Sequence, residues 1–246
     1  MTQLISYGST ESAFEQATSS AQDKAPEIKI IQKQSTFLDE QTIFDNRGKF
    51  YLTDSEEIVE TVTGIVLYRF ESYSAFDNET DTAYFTNDIF KTQDGDMPIY
   101  IFKKKKDSNA QEIVKKASRN EVKEFMKEIN GKSGYKNHFG ILIDGKIHRF
   151  YAGGGSTDSV FSFLNSVKGS FYQFETTLST KLNDSGDVKF YECVITKGEK
   201  TKEDHMMTAK TAFDSIASYW ANKIQDMSDS IDISPTLEEA KAILSA

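Results

Sequence analysis

The sequence predicts a mixed α+β fold dominated by strands, with helices at three places. Short runs of β-branched and aromatic residues recur along the chain, as in IVETVTGIVLYRF at 58–70 and VKFYECVI at 188–195. Turn chemistry separates such runs, most clearly Asp144-Gly145 between Ile141, Ile143 and Ile147, Phe150. Three stretches before residue 226 carry apolar residues at helical spacing, and a short one follows in the tail at Leu237, Ala240, Ile243 and Leu244.

Residues 1–26 are polar, lack a sustained period and read as a mobile N-terminal arm. Ile28, Ile30 and Ile31 follow Pro26 as a short extended segment, and the chain restarts after Gly48 at Lys49-Phe50-Tyr51-Leu52. The run at 58–70 reads as one long strand with Gly64 at a bulge or bend. Residues 71–96 are acidic and aromatic and read as a hairpin or a strand with a long loop. Met97–Phe102 reads as a further strand, followed by Lys103–Lys106. A helical insertion is expected over about 107–131, capped by Asp107, Ser108 or Asn109, with a stripe running from Ala110 to Ile129 and Gly131 as its stop.

Residues 137–151 form the predicted Asp-Gly hairpin. Gly153-Gly154-Gly155 breaks it, and Ser156 or Thr157 can cap a helix over 157–167, with Val160, Phe161, Leu164 and Val167 on one side. Strands follow at 171–180 and 188–196, turned by Asn183-Asp184-Ser185-Gly186. Thr201-Lys202-Glu203-Asp204 resembles a capping box for a C-terminal helix over about 203–225. Residues 226–246 begin acidic and end in a short amphipathic segment, which can dock on its own domain or be shown to a protein partner. The layout is one main domain over 27–225 with loose ends.

Of the 246 residues, 38% are hydrophobic and 12% aromatic, enough to bury a core. No apolar run reaches membrane-span length and the N-terminus lacks a basic-then-apolar leader, so a cytoplasmic protein is expected. The net charge of −9 is unevenly placed. Residues 1–97 hold 7 Lys+Arg against 18 Asp+Glu, residues 98–202 hold 19 against 12, and residues 203–246 hold 3 against 8. A basic middle between acidic ends fits a polyanion site flanked by segments that repel polyanions.

Searches for catalysis return little. His138, His148 and His205 have no zinc-ligand spacing, Cys193 sits in a strand pattern as a buried inert thiol, and no GxSxG or GxxxxGK[ST] occurs. Gly153–Thr157 reads as a strand-to-helix turn ahead of an anion cradle, because no Lys follows in the phosphate-loop position. No cofactor, metal or catalytic residue is expected, although the acids at 77–96, Asp94 and Asp96 among them, leave a metal-dependent nuclease as the weakest alternative. What remains is aromatic residues interleaved with bases, the mixture a single strand needs, since bases stack on rings while cations follow phosphates. Tyr68, Phe150, Tyr151, Tyr172, Phe174 and Tyr191 are the stacking candidates, and Arg69, Lys146, Arg149, Lys168, Lys181 and Lys189 the phosphate candidates.

The element order gives five strands with a helix between the third and fourth, the arrangement of an OB-fold barrel, here with a helical insertion and a C-terminal helix. IKIIQKQS (29–36), GKFYL (48–52), IVETVTGIVLYRF (58–70), GGGSTDSVFSFLNSV (153–167) and SFYQFETTLSTKLNDSGDVKFYECVI (170–195) resemble the OB-fold single-stranded DNA-binding proteins of phages and mobile elements, over about half the chain. The resemblance implies a non-enzymatic protein that binds single-stranded DNA, or RNA, without sequence preference in replication or recombination. The chain departs from that pattern in its lysine-rich insertion and in ending Ile243-Leu244-Ser245-Ala246 rather than in a short acidic, aromatic-ended tip. The alternative from another class is a structural or assembly protein of virion type that uses a β-barrel to bind protein.

Overall fold

A computed structural model describes residues 26–87, 89, 91–92, 95–96, 99–108, 112–131, 134–184 and 189–215. The expected arm at 1–26 (but for Pro26), the end of the C-terminal helix beyond 215 and the tail at 226–246 lie outside the described residues. The fold is mixed α+β and mostly strands, as expected. Where a five-stranded barrel is predicted, a curled sheet of eight strands is found, with a four-stranded sheet inserted into it.

The curled sheet contains β1 (Glu27–Ile30), β2 (Phe50–Leu52), β3 (Glu57–Val59), β4 (Val62–Ser72), β11 (Lys136–Ile143), β12 (Lys146–Gly153), β13 (Phe174–Asn183) and β14 (Phe190–Lys200), in the order β14-β13-β4-β11-β12-β1-β2-β3. Between β4 and β11 lie β5 (Ser74–Asp77), β6 (Thr82–Thr86), the two-residue pair β7 (Lys91–Thr92) and β8 (Gly95–Asp96), β9 (Ile99–Lys105) and β10 (Glu112–Ala117). The helices are α1 (Glu40–Asn46), α2 (Arg119–Asn130), α3 (Thr157–Ser166) and α4 over residues 203–215.

The β11–β12 hairpin forms as predicted, with Asp144 at φ 47° and Gly145 at φ 80°, the pair of positive values that a two-residue turn needs. Helix α3 then enters the hollow of the curled sheet, where Val160 and Phe163 join Val66, Phe139, Ile141, Phe150, Leu178 and Cys193 in the main core. Cys193 is wholly buried and its thiol is pushed up to about 12, so it is inert, as expected. The opposite side of the sheet carries a smaller cluster of Ile65, Leu67, Leu142 and Ile147, covered by Ala209 and Ala212 of α4.

Edge strand β14 is closed off by side chains rather than by another strand. Its Tyr191 N–H donates to Gln32 Oε1 at 2.9 Å, its Cys193 N–H to Ser156 Oγ at 2.8 Å and its Ile195 N–H to Ser159 Oγ at 2.8 Å. Gln32 Nε2 returns a bond to the Tyr191 carbonyl at 2.6 Å. One amide thus spans the gap between the segment after β1 and the far edge of the sheet, satisfying backbone groups that would otherwise recruit a foreign strand.

Several expectations are corrected. The insertion is not helical from 107: residues 112–117 pair with β9 as β10, and α2 starts at 119 with a Ser118–Glu121 capping box. Ile113 and Val114 are β-formers that stay 50% and 37% exposed, so backbone pairing with β9 rather than burial of a helical stripe decides their state. The run 58–70 is two strands, β3 and β4, and its bulge falls opposite Gly140–Ile141 rather than at Gly64. Gly64 answers a close approach instead, because a Cβ there would lie 2.7 Å from both Ile141 Cγ2 and the Leu142 carbonyl. Ser156 caps no helix, since its hydroxyl serves β14, and the Thr201 hydroxyl is buried without a hydrogen bond, so the expected capping box does not form. Residues 171–173 are a 3-10 turn and β13 starts at Phe174. Helix α1 lies where the sequence shows no helical stripe: it is capped by Asp39, which accepts from the Thr42 N–H at 2.9 Å, and only Ile43 of it is buried.

Candidate nucleic-acid interface

In a paired sheet, alternate residues face opposite sides and cross-strand partners face the same side. On β4, Arg69 and Glu71 face one way and Tyr68, Phe70 and Ser72 the other. The second set meets Gly140, His138 and Lys136 of β11, which in turn meet Arg149, Tyr151 and Gly153 of β12. The outer face therefore collects rings and cations from three adjacent strands.

The rings form a ladder. Tyr68 and Phe70 are stacked with centroids 6.1 Å apart, and Phe70 and His138 are stacked at 4.4 Å with planes 11° apart. Tyr151, 39% exposed, closes the row edge-on to His138 at 4.8 Å. Tyr68 lies across β11 because residue 140 is glycine: a Cβ there would stand 2.1 Å from Tyr68 Cε1. Ser72 Oγ lies 2.6 Å from His138 Nε2. Burial first, and the nearby positive charges of Lys136 and Arg149 next, push His138 down to about 4, so at neutral pH it is an uncharged flat ring.

Cations flank the ladder. Lys136 is exposed beside it. Arg149 pairs with Glu27 at 3.2 Å, and its Nε is buried without a hydrogen bond.

Of the residues singled out from sequence, Tyr68, Arg149 and Tyr151 come together here. Phe150 does not: it is 1% exposed and packs edge-on against Phe50, so it is core and no stacking surface. Arg69 faces inward as well, donating to Asn137 Oδ1 at 2.8 Å, Glu71 Oε1 at 2.6 Å and the Tyr135 hydroxyl at 3.0 Å. Glu71 also holds Arg119 at the start of α2, so these groups tie the insertion to the curled sheet rather than meet phosphate. Tyr73, beside them, is pushed up to about 12 by burial and the Glu71 charge.

The others are spread around the molecule. Lys146 pairs with Asp54 at 3.2 Å at the hairpin end, where Asp54 also meets His148 at 3.0 Å. Burial opposes ionisation of Asp54, yet these two partners hold its carboxyl below the usual range. Tyr172 leans on Phe213 of α4 at 5.3 Å, and Phe174 lies under Lys197 Nζ at 3.9 Å. Lys168 is exposed after α3, Lys181 is exposed on β13, Lys189 pairs with Asp184 at 2.7 Å, and the Tyr191 ring covers Gly48.

Phe70, Ser72, Lys136 and His138 were missed. The signal was present: Tyr68-Arg69-Phe70 is a strand segment, so choosing neighbours 68 and 69 mixed two faces, whereas 68 and 70 share one.

Among the described residues no three of His, Cys, Asp and Glu gather as a metal site. Asp77 serves its own turn through Thr80 and the Glu79 N–H, while Asp94 and the side chain of Asp96 lie outside the described residues. No described helix is long and apolar enough to cross a membrane. No family model, curated protein or solved structure matches this chain.

Proposed function

We propose that this chain binds single-stranded DNA without base specificity, as a non-enzymatic protein, through the outer face of β4, β11 and β12. The observation that carries the reading is the row Tyr68–Phe70–His138–Tyr151, with Lys136 and Arg149 beside it. Stacking tolerates any base because every base offers a π face, and flanking cations meet a phosphate chain without reading sequence.

Strand order supports an OB-type arrangement within the curled sheet. With β4, β11, β12, β13 and β14 as strands one to five, the order runs 5-4-1-2-3, and α3 lies between the third and fourth. A closed OB barrel joins strands three and five; here β1, parallel to β12, and Gln32 fill that interval. The ladder then falls chiefly on strands one to three, and oligonucleotides bind OB folds on the face of strands two and three. Work in phage or mobile-element replication or recombination follows from the resemblance of the sequence.

The test is fluorescence anisotropy with labelled oligo-dT at two salt concentrations, using the whole chain and Tyr151→Ala. Binding that weakens with salt, and that falls by about 1–3 kcal/mol on loss of the ring, is expected. A chain that binds no oligo-dT at low salt, or a Tyr151→Ala chain that binds like the parent, refutes the assignment. Capture of a protein partner with indifference to single strands would favour the assembly reading, and oligonucleotide loss that requires Mg²⁺ or Mn²⁺ the nuclease reading.

A further inference from the structure

The outer face does not end where β4 ends. Through residues 69–76 the chain crosses from one sheet to the other while its alternation persists. Glu71, Tyr73 and Ala75 are buried at 7%, 2% and 6%, on the side of the ion network and α2. Phe70, Ser72, Ser74 and Phe76 are only half-buried on the other side. Ile89, bridged to Glu71 and packed with Tyr73, confirms the sidedness across the junction.

Register carries that side across the inserted sheet. Ser74 pairs with Phe85, Phe85 with Phe102 and Tyr100 with Lys116, while Phe76 pairs with Ala83 and Ala83 with Lys104. Helix α2 covers the opposite face, through Val122 and Met126 against Ile99 and Ile101. The face away from α2 carries Phe85 and Phe102 stacked at 5.7 Å with planes 16° apart, and Lys116 Nζ stands 5.9 Å from the Tyr100 ring centre. Lys104 completes it, and among the described residues no Asp or Glu falls on this side of the register.

We infer that this face of the inserted sheet is a second stacking platform for the same single strand, continuing from the ladder over the β4–β5 junction onto Phe85 and Phe102, with Lys104 and Lys116 on phosphates. The inference rests on the proposed single-strand binding. Two observations favour this occupant: flat rings with cations and no acid match a polyanion carrying π faces, and the unbroken alternation puts platform and ladder on one side of the chain.

The experiment compares oligo-dT of about 6 nucleotides, near the lower end of the roughly 4–16 nucleotide site sizes of single OB domains, with oligo-dT of about 20, beyond their upper end. Two variants of the whole chain are used: Lys104→Gln/Lys116→Gln, which changes surface cations only, and Phe102→Leu, which keeps bulk and removes the aromatic face. The longer strand is expected to lose roughly fivefold to a hundredfold in affinity for Phe102→Leu, while the shorter binds as before. For the lysine pair, the salt slope for the longer strand should shrink by about 1.4, at about 0.7 per phosphate contact. Variants that bind both lengths like the parent, or that lose both equally, overturn the inference and leave the ladder's assignment standing. A parent chain that binds neither length overturns both. Variants that change self-association in light scattering but not binding of the longer strand assign the face to a second copy of the chain, and overturn it too.

Discussion

Lowering the pH through the histidine range is expected to weaken the fold by way of one ring, His138. In the folded chain it is pushed down to about 4 from its ordinary 6.5, first by burial and then by Lys136 and Arg149. Unfolded, it regains the ordinary value, so between those two pH values the unfolded chain holds the extra proton. Stability therefore rises with pH across that window: the contribution is complete above about 6.5 and lost as pH falls toward about 4. The interval is worth about 3 kcal/mol, at about 1.4 kcal/mol per pH decade. The perturbation is His138→Gln, which keeps a polar partner for Ser72 Oγ but does not titrate. Urea unfolding of parent and variant at about pH 7.5 and about pH 4.5 gives the difference at each pH, and carboxylate titrations common to both chains cancel. The parent should lose about 3 kcal/mol more than the variant on acidification. If the two lose the same amount, His138 is not desolvated in the way the ladder geometry requires, and the description of it as a neutral stacking ring fails.

Two further outcomes are expected. Glu71→Ala leaves Arg69 and Arg119 without their shared carboxylate in a buried setting and should cost about 3–5 kcal/mol in urea unfolding, whereas Glu124→Ala, on an exposed pair, should cost less than about 1 kcal/mol. Gly140→Ala should displace the Tyr68 ring, costing about 1–3 kcal/mol in stability and lowering affinity for oligo-dT; adding Tyr68→Ala should return part of the stability but none of the affinity, a contrast read from the double-mutant cycle.

The local chemistry of the chain determined what short segments settle among themselves. Asp144-Gly145 is a turn wherever it lies, because both positions accept positive φ, and the spacing of Val160, Phe161, Leu164 and Val167 makes a helix, although its buried residues are Val160 and Phe163 while Phe161 is 47% exposed. The basic middle of the sequence and its interleaved rings likewise pointed to the strands that carry the ladder. Segments whose choice depends on a distant partner were not legible. Residues 112–117 read as part of a helical stripe in the sequence, and only pairing with the edge of β9 decides for the strand. The count of strands in the curled sheet depends on β1 pairing with β12, Glu27 opposite Arg149 and 122 positions away in sequence, which no local pattern encodes.

The candidate site divides the same way. Which residue types it needs was visible, but which of them share a face was decided by register. One residue of parity separates Arg69, spent on Glu71 and Asn137, from Phe70, stacked on His138. Phe150 and Tyr151 are neighbours in sequence, and the pleat sends one into the core beneath α3 and the other to the outer face. Tertiary structure alone joined β4, β11 and β12 in that register, and with it made a row of rings from residues up to 83 positions apart (Tyr68 to Tyr151).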